Sequence, residues 1–295
     1  MSNWSRSLTA AGVTTPGARR DYDAQRRLVA RFRPTSYLAL RLLLPPRLLP
    51  HVVAMTAVMH HGDNLLDTGP RPRREAAWAD WEHRVRDGLA TGSSDDPLIR
   101  ALVHTVAAHP RLGRRTEEYL ATAAAELEFT GFATEDEYQS YVDGYSLPAF
   151  MLVAELLGPD GDDDGRYRAA CRTFIDGSQR LDFVNDIAED LREGRPGIPV
   201  SALEKFSVTA ADLAAARPSA GLRALLDEHL GLARAALVES RGLTGLVPAD
   251  SRRLVRALID IELLTADAAR ERGTGLLRAA AGPPKARAAV VLLRR

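Results

Sequence analysis

The chain has 295 residues, and its 45% hydrophobic and 26% charged residues are typical of a globular protein that can bury a substantial core. Because 39 basic residues balance 39 acidic ones, the net charge gives no indication of binding to nucleic acid. The one cysteine, Cys171, excludes an internal disulfide, and no pattern of Cys and His typical of a zinc site is present.

The N-terminal sequence lacks the apolar segment of a signal peptide, and no run approaches the roughly 18 apolar residues that cross a bilayer. We therefore expect a cytoplasmic protein without a transmembrane segment, with residues 1–20 disordered or loosely attached. The C-terminal sequence ARAAVVLLRR is short, basic and apolar on one side. It predicts the end of the last helix, with weak association with a membrane surface as the alternative.

Clusters of Gly and Pro separate segments that are rich in the helix formers Ala, Leu, Glu and Arg. Alternating β-branched residues are nearly absent, so no strand is predicted and the fold class is all-α. Helices are predicted near residues 20–33, 47–66, 73–91, 96–109, 113–131, 135–157, 165–193, 218–241 and 248–272. Because we find no internal repeat and no long linker, we expect a single helical domain over residues 21–295.

Two of these segments, LPHVVAMTAVMHH and YSLPAFMLVAELLG, are apolar on most sides. Such a helix lies at the centre of a bundle or lines an apolar cavity. The first continues into MHHGDNLLDT, where Asp63 and Asp67 are four residues apart and share one helical face. The alternative for this pair is an ordinary end of the helix before residues 68–70.

A second acidic segment, RLDFVNDIAEDLREGR, spans residues 180–195, with Asp182, Asp186 and Asp190 spaced four apart. Like charges one turn apart on a helix repel one another, so something should compensate them. One interpretation is a solvated acidic face that is neutralised by neighbouring arginines. The other is that two aspartate pairs on two largely apolar helices bind Mg²⁺, which prefers carboxylate and phosphate oxygens.

Together these motifs resemble the squalene and phytoene synthase family of isoprenoid enzymes, from about residue 34 to about residue 285. The segment SYLALRLLLPP leads into a first Asp-x-x-x-Asp, matched by Asp63 and Asp67, and Asp186 and Asp190 match the second. LREGRPGIPVSALEKF then matches the Arg-x-Gly-Arg, Pro, Leu and Phe pattern that follows in the family. Either pair alone would be a weak indication, whereas both pairs with this tail are specific.

The resemblance implies an isoprenoid-synthase helical bundle with a central active-site cavity. It also implies three Mg²⁺ ions that bind an allylic prenyl diphosphate and promote loss of its diphosphate. The predicted activity is the head-to-head coupling of two farnesyl or geranylgeranyl diphosphates, by a monomer or a homodimer. One alternative is a class I terpene cyclase or prenyltransferase on the same fold that acts on one prenyl diphosphate. A non-catalytic helical scaffold is the other.

The chain departs from the family around both motifs. Asp182 stands where the family usually has Asn, and Asn185 where it usually has Arg, so that NDIAEDLRE also resembles the Asn-Asp-x-x-Ser-x-x-x-Glu motif of terpene cyclases. In that interpretation Asn185, Glu189 and Glu193 would be the ligands, but the Arg-x-Gly-Arg tail favours Asp186 and Asp190. His60 replaces a family Arg and would be charged at pH 7 only if the acidic site raises its pKa.

In the middle segment YVDGYSLPAF, Tyr141 matches a family tyrosine, and residues 145–147 replace a Val-Ala-Gly trio. Bulkier residues would reshape the cavity wall, and the alternative is ordinary packing around a kink at Pro148. Tyr141 and Phe183 are the aromatic residues that we expect to stabilise a carbocation.

The predicted catalytic residues are Asp63, Asp67, Asp186, Asp190, Tyr141 and Phe183. The predicted metal ligands are Asp63, Asp67, Asp182, Asp186, Glu189 and Asp190. The predicted substrate-binding residues are Arg41, His60, Tyr145, Arg180, Asn185, Arg192 and Arg195.

Overall fold

The structure is a computed structural model that describes residues 3–159, 161 and 164–293. All regular elements in this part of the chain are helical, which confirms the predicted all-α fold class. The α-helices are α1 (Asn3–Ala10), α2 (Pro16–Phe32), α3 (Pro34–Leu43), α4 (Leu49–Asp67), α5 (Arg71–Thr91), α6 (Pro97–Ala108), α7 (Arg111–Ala123), α8 (Glu135–Tyr141), α9 (Leu147–Leu157), α10 (Asp164–Asn185), α11 (Ile187–Glu193), α12 (Val200–Lys205), α13 (Ala210–Ala214), α14 (Ala220–Glu239), α15 (Ala249–Arg272) and α16 (Lys285–Leu293). Among the described helices, none is long and apolar enough to cross a membrane.

Contacts divide the chain into two compact units, and each unit is discontinuous in sequence. The first contains residues 1–128, 148–160 and 247–254, and the second contains residues 129–147, 161–246 and 255–295. The first Asp-x-x-x-Asp motif therefore belongs to the first unit and the second motif to the second unit. The expected single domain over residues 21–295 stays a prediction.

Helix α4 is the central helix of the first unit. Most of its residues are buried, and it packs against α2, α5 and α6. This agrees with the apolar sequence of its first three turns, which leaves no polar face for solvent. The helix ends at Asp67, where the N–H of Thr68 donates to the carbonyl of Asn64. The acidic motif thus lies at the C-terminal end of a rigidly packed element.

The N-terminal residues differ from the expectation of a loosely attached segment. Residues 3–10 form α1, and Leu8 and Val13 are buried against Tyr22 and Ala54 in one apolar cluster. The apolar side chains of this short stretch are sufficient to hold it on the surface of α2 and α4.

In the second unit, α10 and α14 form the most extensive helix pair. Gly177 on α10 permits their close approach, since a β-carbon there would lie 2.9 Å from the carbonyl oxygen of Ala233 and 3.0 Å from Ala236 Cβ. This packing fixes the position of α10, which leads into the second acidic motif.

Two predicted helices contain irregularities. The helix predicted at 135–157 contains a π-helical turn, Val142–Ser146, in which the Leu147 N–H donates to the Val142 carbonyl. Pro148 follows at once, and its ring cannot follow a regular α-turn without clashing with the preceding turn of backbone. The helix predicted at 165–193 is interrupted at Asp186, with consequences for the second motif described below.

Candidate active site

The first acidic motif occupies the C-terminal part of α4. Asp63 is half-buried and Asp67, the last residue of the helix, is exposed, while Leu66 between them is fully buried. The last turn of α4 carries no basic residue. Because the C-terminal end of a helix is electronegative, a carboxylate there is unfavourable unless a cation is close. The sequence left open whether this pair is a metal-binding motif or an ordinary helix end. In the structure the pair lies at a helix end, so the two interpretations do not exclude each other.

Aromatic side chains support this part of α4 from within the first unit. The His61 ring lies 5.5 Å from the Trp81 ring, and Trp78 lies 5.3 Å from Trp81 and 5.8 Å from Tyr119 between ring centroids. A β-carbon at Gly62 would overlap with the Tyr119 hydroxyl oxygen. Trp78, Trp81 and Tyr119 were not predicted from the sequence, because they belong to α5 and α7, which come later in the chain.

His60 does not behave as the sequence analysis required of a charged substrate ligand. Burial, and then the positive charge of Arg33, lower its pKa, so the imidazole is neutral at pH 7. Its ring lies 5.4 Å from the ring of Phe32. The condition for a charged His60, a pKa raised by the acidic site, is therefore not met, and a neutral His60 can offer a diphosphate a hydrogen bond without a charge.

The second motif spans a break between two helices rather than one continuous helix. Helix α10 ends at Asn185, Asp186 has φ −96° and ψ 10°, and α11 begins at Ile187. The carbonyl of Asp186 accepts from the N–H groups of Glu189 (2.7 Å) and Asp190 (3.1 Å). The predicted ladder of Asp182, Asp186 and Asp190 on a single helical face is therefore corrected.

The carboxylates of this motif have different exposures and surroundings. Asp186 and Asp190 are half-buried, whereas Asp182 and Glu189 are exposed. Glu189 and Asp190 lie in the first turn of α11, where the electropositive end of the helix dipole favours negative charge. The side chain of Glu193 lies outside the described residues.

Asn185 uses both ends of its amide to bind a remote segment of backbone. Its Nδ2 donates to the carbonyl of Ala281 (3.0 Å), and its Oδ1 accepts from the Ala281 N–H (2.7 Å). An amide oxygen engaged in this way is a poor candidate for a metal ligand. The contact therefore counts against the terpene-cyclase ligand set and favours Asp186 and Asp190.

Glu262 of α15 is a carboxyl group near this motif that the sequence analysis missed. Burial, and then the carboxylate of Asp182, raise the pKa of Glu262 to about 7, although a hydrogen bond with Ser178 opposes this. Nothing in the local sequence of α15 distinguishes Glu262 from the other acidic residues of this helix. Its position near the second motif becomes visible only in the folded structure, where it forms a hydrogen bond with Ser178 of α10.

Arg180 is engaged inside the second unit. It is 5% exposed, donates to both carboxylate oxygens of Glu135, and lies 4.2 Å from the centroid of the Tyr138 ring. A second carboxylate, Asp176, lies 3.4 Å from its Nη2. These contacts give Arg180 a structural role and leave little of its guanidinium for a diphosphate.

The other predicted arginines are more accessible. Arg41 is exposed and lies 5.8 Å from the Tyr37 ring centroid, and Arg192 is exposed with its Nε donating to the Ala188 carbonyl (2.9 Å). Arg195 is half-buried, and its backbone N–H donates to the Asp190 carbonyl (3.0 Å). Arg192 and Arg195 therefore lie beside the second motif, and their binding of diphosphate stays a prediction.

Tyr141 and Phe183 belong to one aromatic cluster in the second unit. Their ring centroids are 5.9 Å apart, and Tyr145 lies 5.3 Å from Tyr141. Gly197 permits this arrangement, because a β-carbon there would overlap with the Phe183 ring and lie 2.6 Å from its Cβ. The RPGIP sequence after the second motif thus has a packing function.

The donor set fits a hard divalent cation. Each motif offers carboxylate oxygens and no thiolate, and at least one carboxylate of each is half-buried. Within the described residues, no group of three or more His, Cys, Asp or Glu side chains could hold a metal ion by itself. Mg²⁺ in proteins typically binds one or two carboxylates and completes its coordination with water and substrate phosphates.

Comparison with solved structures defines the class of fold. The squalene synthase HpnC from Alicyclobacillus acidocaldarius matches with a TM-score of 0.77 and 24% identity, covering 90% of this chain and 98% of that chain. The fold is therefore that of the helical isoprenoid synthases. The Squalene/phytoene synthase family profile matches residues 29–290, and the chain belongs to that family.

Curated relatives agree with this assignment. The bifunctional protein CrtB/UppS of Streptomyces coelicolor is 28% identical over 233 residues, which cover 79% of this chain and 41% of the relative. The 15-cis-phytoene synthase of Synechocystis is 25% identical over 203 residues, which cover 65% of this chain and 59% of the relative. The chain thus spans about half the length of these two relatives.

Proposed function

We propose that this protein is a Mg²⁺-dependent isoprenoid synthase that ionises farnesyl or geranylgeranyl diphosphate and couples two units head to head. The observation that carries the proposal is the presence of both Asp-x-x-x-Asp motifs and the Arg-x-Gly-Arg tail, within a match to the family that covers residues 29–290. The names of the curated relatives support phytoene-type coupling.

Each group of residues has a defined task in this proposal. Asp63, Asp67, Asp186 and Asp190 would hold the metal ions, which neutralise the charge that develops on a departing diphosphate. Arg192 and Arg195 would bind diphosphate oxygens, as guanidinium groups do with good geometry. The rings of Tyr141 and Phe183, already packed together, would stabilise the allylic cation through their π faces.

The direct test is product analysis after incubation with each diphosphate and MgCl₂. Coupling gives a C30 or C40 hydrocarbon, and a C15 or C20 cyclic product would replace this proposal with cyclisation. We expect Asp63→Asn and Asp186→Asn each to lower turnover by at least roughly 100-fold, with the helical circular dichroism unchanged. Asp267→Asn is the matched control, because that carboxylate only forms a partly exposed ion pair with Arg234 (2.9 Å). Full activity in both motif variants would contradict the proposal.

Cyclisation of one prenyl diphosphate is the second candidate function. It is favoured by the π-helical turn at Val142–Ser146, where this chain also departs from the family sequence. π-turns are frequent at functional sites and change the direction of the side chains that follow. The engaged amide of Asn185 counts against it. A non-catalytic scaffold would give no product from either diphosphate and no thermal stabilisation by Mg²⁺ with inorganic pyrophosphate.

A further inference from the structure

Tyr119 presents an unusual buried hydroxyl behind the first acidic motif. The side chain is 0% exposed, and its hydroxyl oxygen has no hydrogen-bond partner among the described residues. The indole nitrogen of Trp78, whose ring contacts that of Tyr119, and the indole nitrogen of Trp81, whose ring contacts that of Trp78, are also buried without a hydrogen-bond partner among the described residues. A buried hydroxyl without a hydrogen bond destabilises the folded protein, so its presence requires an explanation.

The same unit contains a tyrosine that shows what an ordinary buried hydroxyl looks like. Tyr22 is also 0% exposed, but its hydroxyl is hydrogen-bonded to Thr105 Oγ1 (2.7 Å) and lies 3.0 Å from His104 Nδ1. A fully buried tyrosine hydroxyl can therefore form hydrogen bonds in this unit. The isolation of the Tyr119 hydroxyl is a property of its site.

That site is the backbone of α4 immediately before the first motif. The hydroxyl abuts Gly62, where a β-carbon would also lie 3.2 Å from Tyr119 Cζ and 3.4 Å from Trp78 Cζ3. Burial is the main cause that raises the pKa of Tyr119, and the carboxylates of Asp63 and Asp67 raise it further. The proton therefore stays on the oxygen, and the carboxylates that act on it are those of Asp63 and Asp67 in the motif and, to a smaller extent, that of the buried Glu126.

We propose that Tyr119 is a positioning residue whose hydroxyl donates to the carboxylate of Asp63 when that carboxylate binds Mg²⁺. A carboxylate has about four lone-pair sites, so metal coordination through one leaves others for a second donor. Such donors fix the orientation of metal-binding carboxylates, and their loss typically lowers metal affinity 10–100-fold. Gly62 is required in this arrangement because any side chain would push the hydroxyl away. The inference rests on the proposed function.

The test is Tyr119→Phe, which removes one oxygen and keeps the ring. We expect the affinity for Mg²⁺ in the presence of inorganic pyrophosphate to fall 10–100-fold, measured by calorimetric titration. We also expect the unfolding temperature without metal to stay equal or rise, because the substitution deletes an unsatisfied polar atom from the core. Turnover at saturating Mg²⁺ should be retained.

Tyr22→Phe is the matched control, because it makes the same chemical change in the same unit. It removes a satisfied hydroxyl, so the unfolding temperature should fall and Mg²⁺ affinity should stay unchanged. Gly62→Ala is the second variant, since it displaces the hydroxyl while keeping the tyrosine, and it should also weaken Mg²⁺ binding.

The outcomes separate the two proposals. If the wild-type protein does not bind Mg²⁺ with pyrophosphate, the proposed function and the role of Tyr119 both fail. If the wild type binds and Tyr119→Phe binds equally well, only the role of Tyr119 is overturned. A lower metal-free stability of Tyr119→Phe with unchanged affinity would show that the hydroxyl is satisfied structurally, for example by a buried water, and would overturn it as well.

Discussion

The two acidic motifs share one spacing and differ in their helical setting. Asp67 is the last residue of α4, at the electronegative end of that helix. Glu189 and Asp190 lie in the first turn of α11, at the electropositive end of that helix. The end of α4 therefore disfavours a negative charge on Asp67, while the start of α11 favours negative charges on Glu189 and Asp190. Equal spacing in sequence does not give equal helix-end environments.

The two motifs also differ in what supports them from behind. The first rests on buried aromatic side chains, through the close contact of Gly62 with Tyr119. The second is held by hydrogen bonds from Asn185 to the backbone of Ala281, 96 residues later. Packing supports one motif and a polar tether supports the other, so different substitutions should weaken each.

The largest expected effect on stability concerns Glu262 beside the second motif. Its pKa is raised to about 7 in the folded protein, so folding disfavours its ionised form. At low pH Glu262 is protonated in both the folded and the unfolded state and does not affect stability. Stability falls as the pH rises from the ordinary pKa of a glutamate to the raised pKa of about 7. Glu262→Gln should remove this loss. The difference in free energy of unfolding between the variant and the wild type should therefore be larger at pH 8 than at pH 5, by up to roughly 3 kcal/mol.

The measurement for Glu262→Gln is urea unfolding in metal-free buffer at both pH values. Asp182→Asn supplies an internal check, because removing that charge should lower the pKa of Glu262 and reduce the pH dependence without abolishing it. If the free energy of unfolding differs between Glu262→Gln and the wild type by the same amount at pH 5 and pH 8, the raised pKa of Glu262 is contradicted.

A smaller effect is expected from the tether of the second motif. Asn185→Ala removes both hydrogen bonds to Ala281 and should lower the free energy of unfolding by about 1–2 kcal/mol. It should also expose the segment near residue 281 to limited proteolysis. Asn64→Ala in the first motif is the control, because Asn64 is exposed and its side chain only accepts from Thr68 Oγ1 (3.2 Å). If both substitutions lower the free energy of unfolding equally, the proposed role of Asn185 in holding the second motif is contradicted.

The smallest effect tests the helix ends directly. The helix-end interaction by itself predicts that, without metal, Asp67→Asn raises the free energy of unfolding by about 0.3–1 kcal/mol and Glu189→Gln lowers it by a similar amount. Both side chains are exposed, so burial does not complicate the comparison. Thermal unfolding at low ionic strength, repeated in 1 M salt to screen the interaction, measures it. Changes of the same sign would disprove the electrostatic contrast.

Much of the fold could be predicted because its long helices have continuous apolar or periodic sequences. Helices α4, α14 and α15 lie within a few residues of their predicted positions. Of the short helices, α1, α3, α12 and α13 were missed, although α3 begins with Pro34 at a first helical position, which is a recognised helix start. The π-turn also had a local indication in Pro148.

The break at Asp186 could not be predicted in the same way. Its neighbours include no Gly or Pro, and nothing local interrupts the helical pattern. The Asn185 amide there binds backbone that is distant in sequence. The motif aspartates were found from spacing and resemblance, and their roles stay predictions. Glu262 and Tyr119 were missed because their partners are brought near only by folding.

The buried state of the chain's one cysteine makes this protein convenient for spectroscopic labelling. Cys171 is 0% exposed within α10, so a thiol-reactive dye should leave the native protein unmodified. A cysteine introduced on α16, where no described side chain is buried, would then carry the fluorophore alone. Its emission could report in real time whether the C-terminal helix moves when diphosphate and Mg²⁺ are added.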